Sequence, residues 1–221
     1  MVIYYVIYIL FKLGGVMLKK ILLTSAGLSE NLKKLFFEQI KKKPQEIKII
    51  FVPSASTVND GAREGLLVGM FELINMGILP ENIFVYDLRY ILSKNYSAMN
   101  NLNLNYIPPI FRLLSIDEMN EYDVLLFSGG NASILLDEIN RTGFNEVVRQ
   151  SVDNGLLYLG VSAGSMIAAG NLPYNLGYVK NSISVHCEKG TSCGNLPQDG
   201  EIYLTNTQAI WIDGDNAQIV E

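Results

Sequence analysis

The feature that most restricts this chain is a repeated switch of hydrophobic period. Short apolar runs, suited to buried strands, alternate with amphipathic stretches of helical period. Lys20–Ser25 (KILLTS) reads as a strand. Ser29–Lys43 follows as a helix, with Ser29 placed to cap it, Leu32, Leu35, Phe36 and Ile40 on one face, and Pro44 as its stop. Glu46–Val52 (EIKIIFV) is the next strand, closed by Pro53; Gly61–Met76 is a second helix and Asn82–Leu88 (NIFVYDL) a third strand. The alternation resumes with the strand Asp123–Ser128, the helices Asn131–Asn140 and Phe144–Asp153, and the strand Gly155–Leu159. After Ser162 comes a small-residue helix, AGSMIAAG. Strands of this kind, joined by helical crossovers, predict an α/β three-layer sandwich with a mostly parallel sheet and helices on both faces.

Two stretches depart from that rhythm. Ile91–Leu114 is rich in Asn and Tyr and ends near Pro108–Pro109, which predicts a long loop with at most a short helix. Glu201–Val220 reads as short antiparallel strands around the turn Asp213–Gly214–Asp215–Asn216. No internal repeat or linker divides the chain, so residues 17–221 are expected to form a single α/β domain. Residues 1–16 stand apart. Met1–Phe11 is almost unbroken apolar sequence, too short for a membrane span of about 20 residues and without the basic start of a signal peptide. This segment reads as an apolar N-terminal extension, or as an upstream start with Met17 the initiator. The expected location is cytoplasmic, away from membranes.

Composition narrows the chemistry. Lys and Arg total 17 against 22 Asp and Glu, a net charge of −5 with no basic block, which argues against a nucleic-acid partner. One His and two Cys do not make a four-ligand Cys/His zinc site or a disulfide scaffold. Any histidine chemistry must therefore use His186.

Gly160-Val161-Ser162-Ala163-Gly164 is a G-x-S-x-G pattern between an apolar strand and a small-residue helix. A serine on so sharp a turn stands above the sheet edge, and the following N–H can face a developing oxyanion. The pattern alone is weak; its strand–turn–helix setting gives it weight. Ser128-Gly129-Gly130-Asn131 ends the preceding strand, and its glycines can offer a second N–H at the same sheet edge, although taken alone the motif reads better as a plain turn capped by Asn131. His186 closes the apolar run Ser182–Val185, where it is either a structural histidine or the base a serine nucleophile needs.

Together these pieces resemble peptidase family S51, the serine peptidases of the dipeptidase E and cyanophycinase kind, whose fold is class I glutamine amidotransferase-like (flavodoxin-like). The resemblance runs from Met17 onward through Phe51–Ser56 (FVPSAS), Gly129–Asn131, Gly160–Ser165 (GVSAGS), the strand ending in His186, and Thr205–Asp215 (TNTQAIWIDGD). It implies a serine peptidase acting on small peptides, with Ser162 as nucleophile, His186 as general base, the Gly130 and Ala163 N–H groups as oxyanion donors, and Gly129 and Asn131 beside them. It implies no cofactor and no metal, and allows a homodimer. Two departures accompany it. Residues 163–185 contain no Asp or Glu to orient the histidine, which leaves Asn175, Asn181 or Glu188, the last on the same strand face as His186. The stretch after His186 holds only Lys189 as a basic residue, a point charge rather than a bidentate fork for an acidic substrate. A ligand-binding relative without catalysis, or an esterase or amidase on small substrates, are the alternatives.

Overall fold

The computed structural model describes residues 19–56, 60–93 and 107–221. The extension at residues 1–16 and the centre of the 91–114 loop lie outside the described residues. Among the described residues ten strands form: β1 (Lys20–Thr24), β2 (Ile49–Val52), β3 (Ile83–Val85), β4 (Val124–Phe127), β5 (Leu157–Val161), β6 (Ile183–Ser184), β7 (Gly194–Asn195), β8 (Ile202–Tyr203), β9 (Ala209–Asp213) and β10 (Asn216–Val220). The α-helices are α1 (Glu30–Ile40), α2 (Asp60–Asn75), α3 (Ile116–Met119), α4 (Ala132–Thr142), α5 (Phe144–Asp153) and α6 (Ala163–Met166).

Eight strands make one sheet in the order β3-β2-β4-β5-β1-β9-β10-β7. The first five in that order run parallel. The sheet turns antiparallel at β9, and β9 and β10 form the expected hairpin, with Asn216 opposite Asp213. Every residue of β2 and β4 is buried, because successive side chains point to opposite faces and both faces are covered. Ile21, Leu23, Ile50, Val52, Leu125 and Phe127 join the core that includes α4 and α5. Leu22, Ile49, Phe51, Val124 and Leu126 pack on the other side with Leu32 and Phe36 of α1 and Leu73 of α2. Three layers result, as the alternation predicts. Burying Leu32 and Phe36, at 1% and 0% exposure, stabilises α1 by roughly 1.5–3 kcal/mol each.

The boundaries differ in instructive ways. Helix α1 ends before Lys43 because Lys41 takes a left-handed conformation (φ 56°) and returns its N–H to the Phe37 carbonyl. The helix after Ser162 is α-helical only to Met166, then tightens into turns in which Ala168 N–H bonds the Ser165 carbonyl. The run ending in His186 pairs over only two residues, Ile183 with Ile202 and Ser184 with Tyr203, in a separate two-stranded parallel sheet of β6 and β8. Among the described residues no helix is long and apolar enough to cross a membrane.

Candidate active site

In a parallel sheet the carboxyl ends of the strands share one edge, where loops meet. Here β2, β4, β5 and β1 are consecutive neighbours, so Pro53–Ser56, Ser128–Gly130, Ser162 and Ser25–Gly27 emerge side by side. β9 runs against β1 with Ala209 opposite Thr24, which brings the chain just before Ala209 to the same edge.

Ser162 sits at φ 49°, ψ −102°, between β5 and α6. A non-glycine residue at positive φ costs on the order of 1–3 kcal/mol and persists only where its surroundings fix it. They do so here. Ser162 N–H bonds the Thr24 carbonyl at 3.0 Å. Ser165 Oγ donates to the carbonyls of Thr24 and Gly160 at 2.7 and 2.9 Å, and the buried Tyr158 hydroxyl donates to the Gly164 carbonyl at 2.6 Å. The flanking glycines are steric requirements. A Cβ at Gly160 would lie 2.6 Å from the Gly164 carbonyl oxygen, and one at Gly164 would lie 2.4 Å from that of Phe127. The turn therefore closes only with glycine two residues before and two after the serine.

The β4 turn stands against it. A Cβ on Gly129 would sit 3.4 Å from Ser162 Cβ. Gly130, at φ 130°, passes so close to β2's loop that a Cβ would reach 2.1 Å from the Ala55 carbonyl oxygen. Ser56 Oγ clamps this turn, donating to the Gly129 carbonyl at 2.5 Å and lying 2.7 Å from Ser128 Oγ. Among the described residues no protein acceptor takes the N–H of Gly130 or Ala163.

His186 approaches from outside the large sheet. Its Nε2 lies 3.2 Å from Ser162 Oγ and its Nδ1 2.9 Å from Asn206 Oδ1. Three backbone contacts set this geometry. Leu204 N–H bonds the Ser184 carbonyl at 2.8 Å, Cys187 N–H bonds the Leu204 carbonyl at 3.0 Å, and His186 N–H donates to buried Ser25 Oγ at 2.7 Å. His186 itself has φ 59°, so it occupies a turn beyond β6 rather than a strand.

That turn corrects the expected orienting group. Glu188 shares no strand face with His186 because the strand has already ended, and it is exposed. Asn175 is engaged elsewhere: its Nδ2 donates to the Leu172 carbonyl and its Oδ1 accepts from Gly177 N–H. Asn181 Nδ2 donates to the Gly200 carbonyl. Asn206 holds the position instead. Its signal lies within Glu201–Val220, the stretch that reads as short antiparallel strands, as an amide just before a strand that borders β1. Ser25 was likewise unread, because its role depends on a contact 161 residues away. Asn131 is the helix cap of the plainer reading: its Oδ1 accepts from Ile134 N–H and its N–H bonds the Ala55 carbonyl. Lys189 is exposed and does not line the cavity described next.

A cavity of about 340 Å³ opens beside Ser162 and His186, walled by Gly129 and Gly130, the β1 loop at Ala26–Leu28, the Gly61–Leu73 flank of α2 and Met76 just beyond it. That volume is at the small end for ligand pockets. Most of the wall is apolar, including Val68, Leu73 and Leu126, and among the described residues its one carboxylate is Glu72, whose pKa is raised by burial against the opposing pull of Lys33. Among the described residues no three His, Cys, Asp or Glu side chains gather as a metal site.

The chain is similar to known peptidases. Residues 88–183, which hold the GGN turn and the serine elbow, match the model of peptidase family S51. An uncharacterized peptidase of Pasteurella multocida is 40% identical over 58 residues, covering 26% of this chain and 28% of the relative. One of Listeria innocua is 27% identical over 138 residues, covering 62% and 55%. The chain thus aligns with about half or less of the length of these relatives. Among solved structures, a peptidase from an acI-B1 actinobacterium superposes with a TM-score of 0.60 at 16% identity, covering 93% of this chain and 88% of that one, and shares the fold. The chain is similar to peptidase family S51 through residues 88–183, the segment that carries the GGN turn and the serine elbow.

Proposed function

We propose that this protein is a serine peptidase that hydrolyses small peptides through an acyl-enzyme. The observation that carries the reading is the 3.2 Å approach of His186 Nε2 to the hydroxyl of a serine held at φ 49° on a strand-to-helix elbow. In this reading Ser162 Oγ attacks the scissile carbonyl carbon while Nε2 takes its proton. The neutral ring must then carry its own proton on Nδ1, and Asn206 Oδ1 accepts it, which fixes both tautomer and ring plane. The Gly130 and Ala163 N–H groups receive the oxyanion. The imidazolium returns its proton to the leaving amine, the C–N bond breaks, and water releases the acyl group by the same steps reversed in role. The cavity's volume supports a dipeptide-sized substrate. The two free cysteines, Cys187 and Cys193, support a reducing, cytoplasmic setting, and the net charge of −5 supports a partner other than nucleic acid. Pairing of two copies belongs to the same proposal and is read directly by sedimentation equilibrium, a monomeric mass being the contrary result.

The test is a dipeptide library assayed with wild type and Ser162→Ala. Turnover in the wild type and its loss in a folded Ser162→Ala variant is the expected outcome; equal hydrolysis by both would refute it. One observation favours a second reading, a ligand-binding relative without catalysis: among the described residues no carboxylate bonds His186, and Asn206 brings no negative charge to an imidazolium. A serine-directed fluorophosphonate separates the two, since only an activated Ser162 is labelled.

A further inference from the structure

Glu72 is the feature of this site that the acyl-transfer chemistry leaves unused. Residues Gly61, Gly65, Gly69 and Leu73 recur every fourth position along α2, and a Cβ at Gly65 or Gly69 would meet nothing within 4 Å. The helix therefore presents a bare flank to the cavity, and the Glu72 carboxylate reaches past it toward the β1 loop. There its Oε2 lies 3.0 Å from where a Cβ of Gly27 would be. Among the described residues the Glu72 side chain makes no hydrogen bond or ion pair. Lys33 on α1, whose charge acts on Glu72, is engaged with Glu30 at 2.8 Å.

A half-buried carboxylate in an apolar wall, without a protein partner, is under-compensated until a cation arrives. Among the described residues the same wall holds no Lys or Arg to offer an acidic substrate group a counter-charge. Both facts select the same ligand chemistry. We propose that Glu72 is a specificity-determining residue that pairs with an ammonium group on an otherwise apolar, dipeptide-sized substrate whose carbonyl sits at Ser162. The proposal rests on the reading of Ser162 as nucleophile for the position of that carbonyl. The ammonium can be the α-amine of a free N-terminus or the side chain of a lysine.

Binding in the full-length Ser162→Ala protein tests this without turnover. The ligands for calorimetry are leucyl-alanine, acetyl-leucyl-alanine and acetyl-lysyl-alanine. Leucyl-alanine or acetyl-lysyl-alanine is expected to bind about 10- to 100-fold tighter than acetyl-leucyl-alanine, the worth of one charge-assisted hydrogen bond. Which of the two it is identifies the α-amine or the side chain as the group at Glu72, and either supports the proposal. Adding Glu72→Gln should erase the preference, with an unchanged thermal melt showing the variant folded, and Glu72→Asp should retain part of it. Equal binding of all three ligands in the Ser162→Ala protein overturns the proposal, as does a preference that survives Glu72→Gln. Fluorophosphonate labelling of the wild type is run in parallel. Its absence would overturn the nucleophile reading, while the binding comparison still decides the role of Glu72.

Discussion

Asn206 presents a neutral oxygen to His186 Nδ1 at 2.9 Å, in the place where a carboxylate would add charge to the same geometry. Orientation and charge are therefore separable in this site. Asn206→Ala removes the acceptor, and we expect kcat on a cleavable dipeptide to fall about tenfold with KM little changed. Asn206→Asp keeps the acceptor and adds the charge that favours imidazolium, so its kcat should exceed that of the wild type. Steady-state kinetics of the two variants decide this, and an undiminished kcat in Asn206→Ala would remove Asn206 from the mechanism. The serine, the histidine and both glycine turns were legible as residues, because a G-x-S-x-G elbow and a lone histidine are local signals. Asn206 and Ser25 were not, since each acts only through a partner 20 and 161 residues away.

At the scale of elements, the strands were legible because both-face burial leaves almost unbroken apolar runs, as in β2 and β4. The run before His186 misled for a physical reason. Ile183 is buried, but only two residues pair with β8 before the chain turns at positive φ, so period-two spacing past Ser184 means nothing. The elbow makes a sharper demand. Gly164→Ala would force a Cβ within 2.4 Å of the Phe127 carbonyl oxygen, and urea denaturation should show a loss of about 2 kcal/mol or more. A second element offers a pH test. Arg112 bonds both carboxylate oxygens of Glu118, at 2.7 and 2.8 Å, and with the cap at Ser115 it holds the Glu118 pKa down to about 2 from 4.5. A depressed folded-state pKa stabilises above the unfolded value and is lost as pH falls through the folded one. The Tm gap between wild type and Glu118→Gln should therefore be full above about pH 5 and shrink steadily toward pH 2. A gap that does not change with pH would contradict the ion pair.

Across the whole molecule, the two members of the proposed dyad hang from different sheets. Ser162 ends a strand of the eight-stranded sheet, whereas His186 and Asn206 ride on chain flanking the small β6–β8 pair. Ser25 Oγ bridges them, accepting the His186 N–H and donating to the Leu204 carbonyl at 3.3 Å. Ser25→Ala leaves that N–H without its acceptor, at a cost of about 1–2 kcal/mol, and should lower kcat several-fold through a loosened His186 while KM stays within about twofold. Thermal melts and kinetics on one preparation separate the two effects; a stability loss without any change in kcat would show that Ser25 does not position the base.

This division has a consequence for how the protein is made. Ser162 and its elbow lie between β5 and α6, yet the histidine's orienting partner precedes β9, which must insert beside β1, more than 180 residues earlier in the chain. During synthesis the chain emerges from its N-terminus, and contacts of such sequence separation close late. On the proposed mechanism, a ribosome-bound chain that has passed Ser162 but not yet Asn206 and β9 carries a nucleophile with no aligned base. The proposed competence for cleavage would then arrive only with the completed sheet, and nascent chains crowded on one message would be spared one another's chemistry.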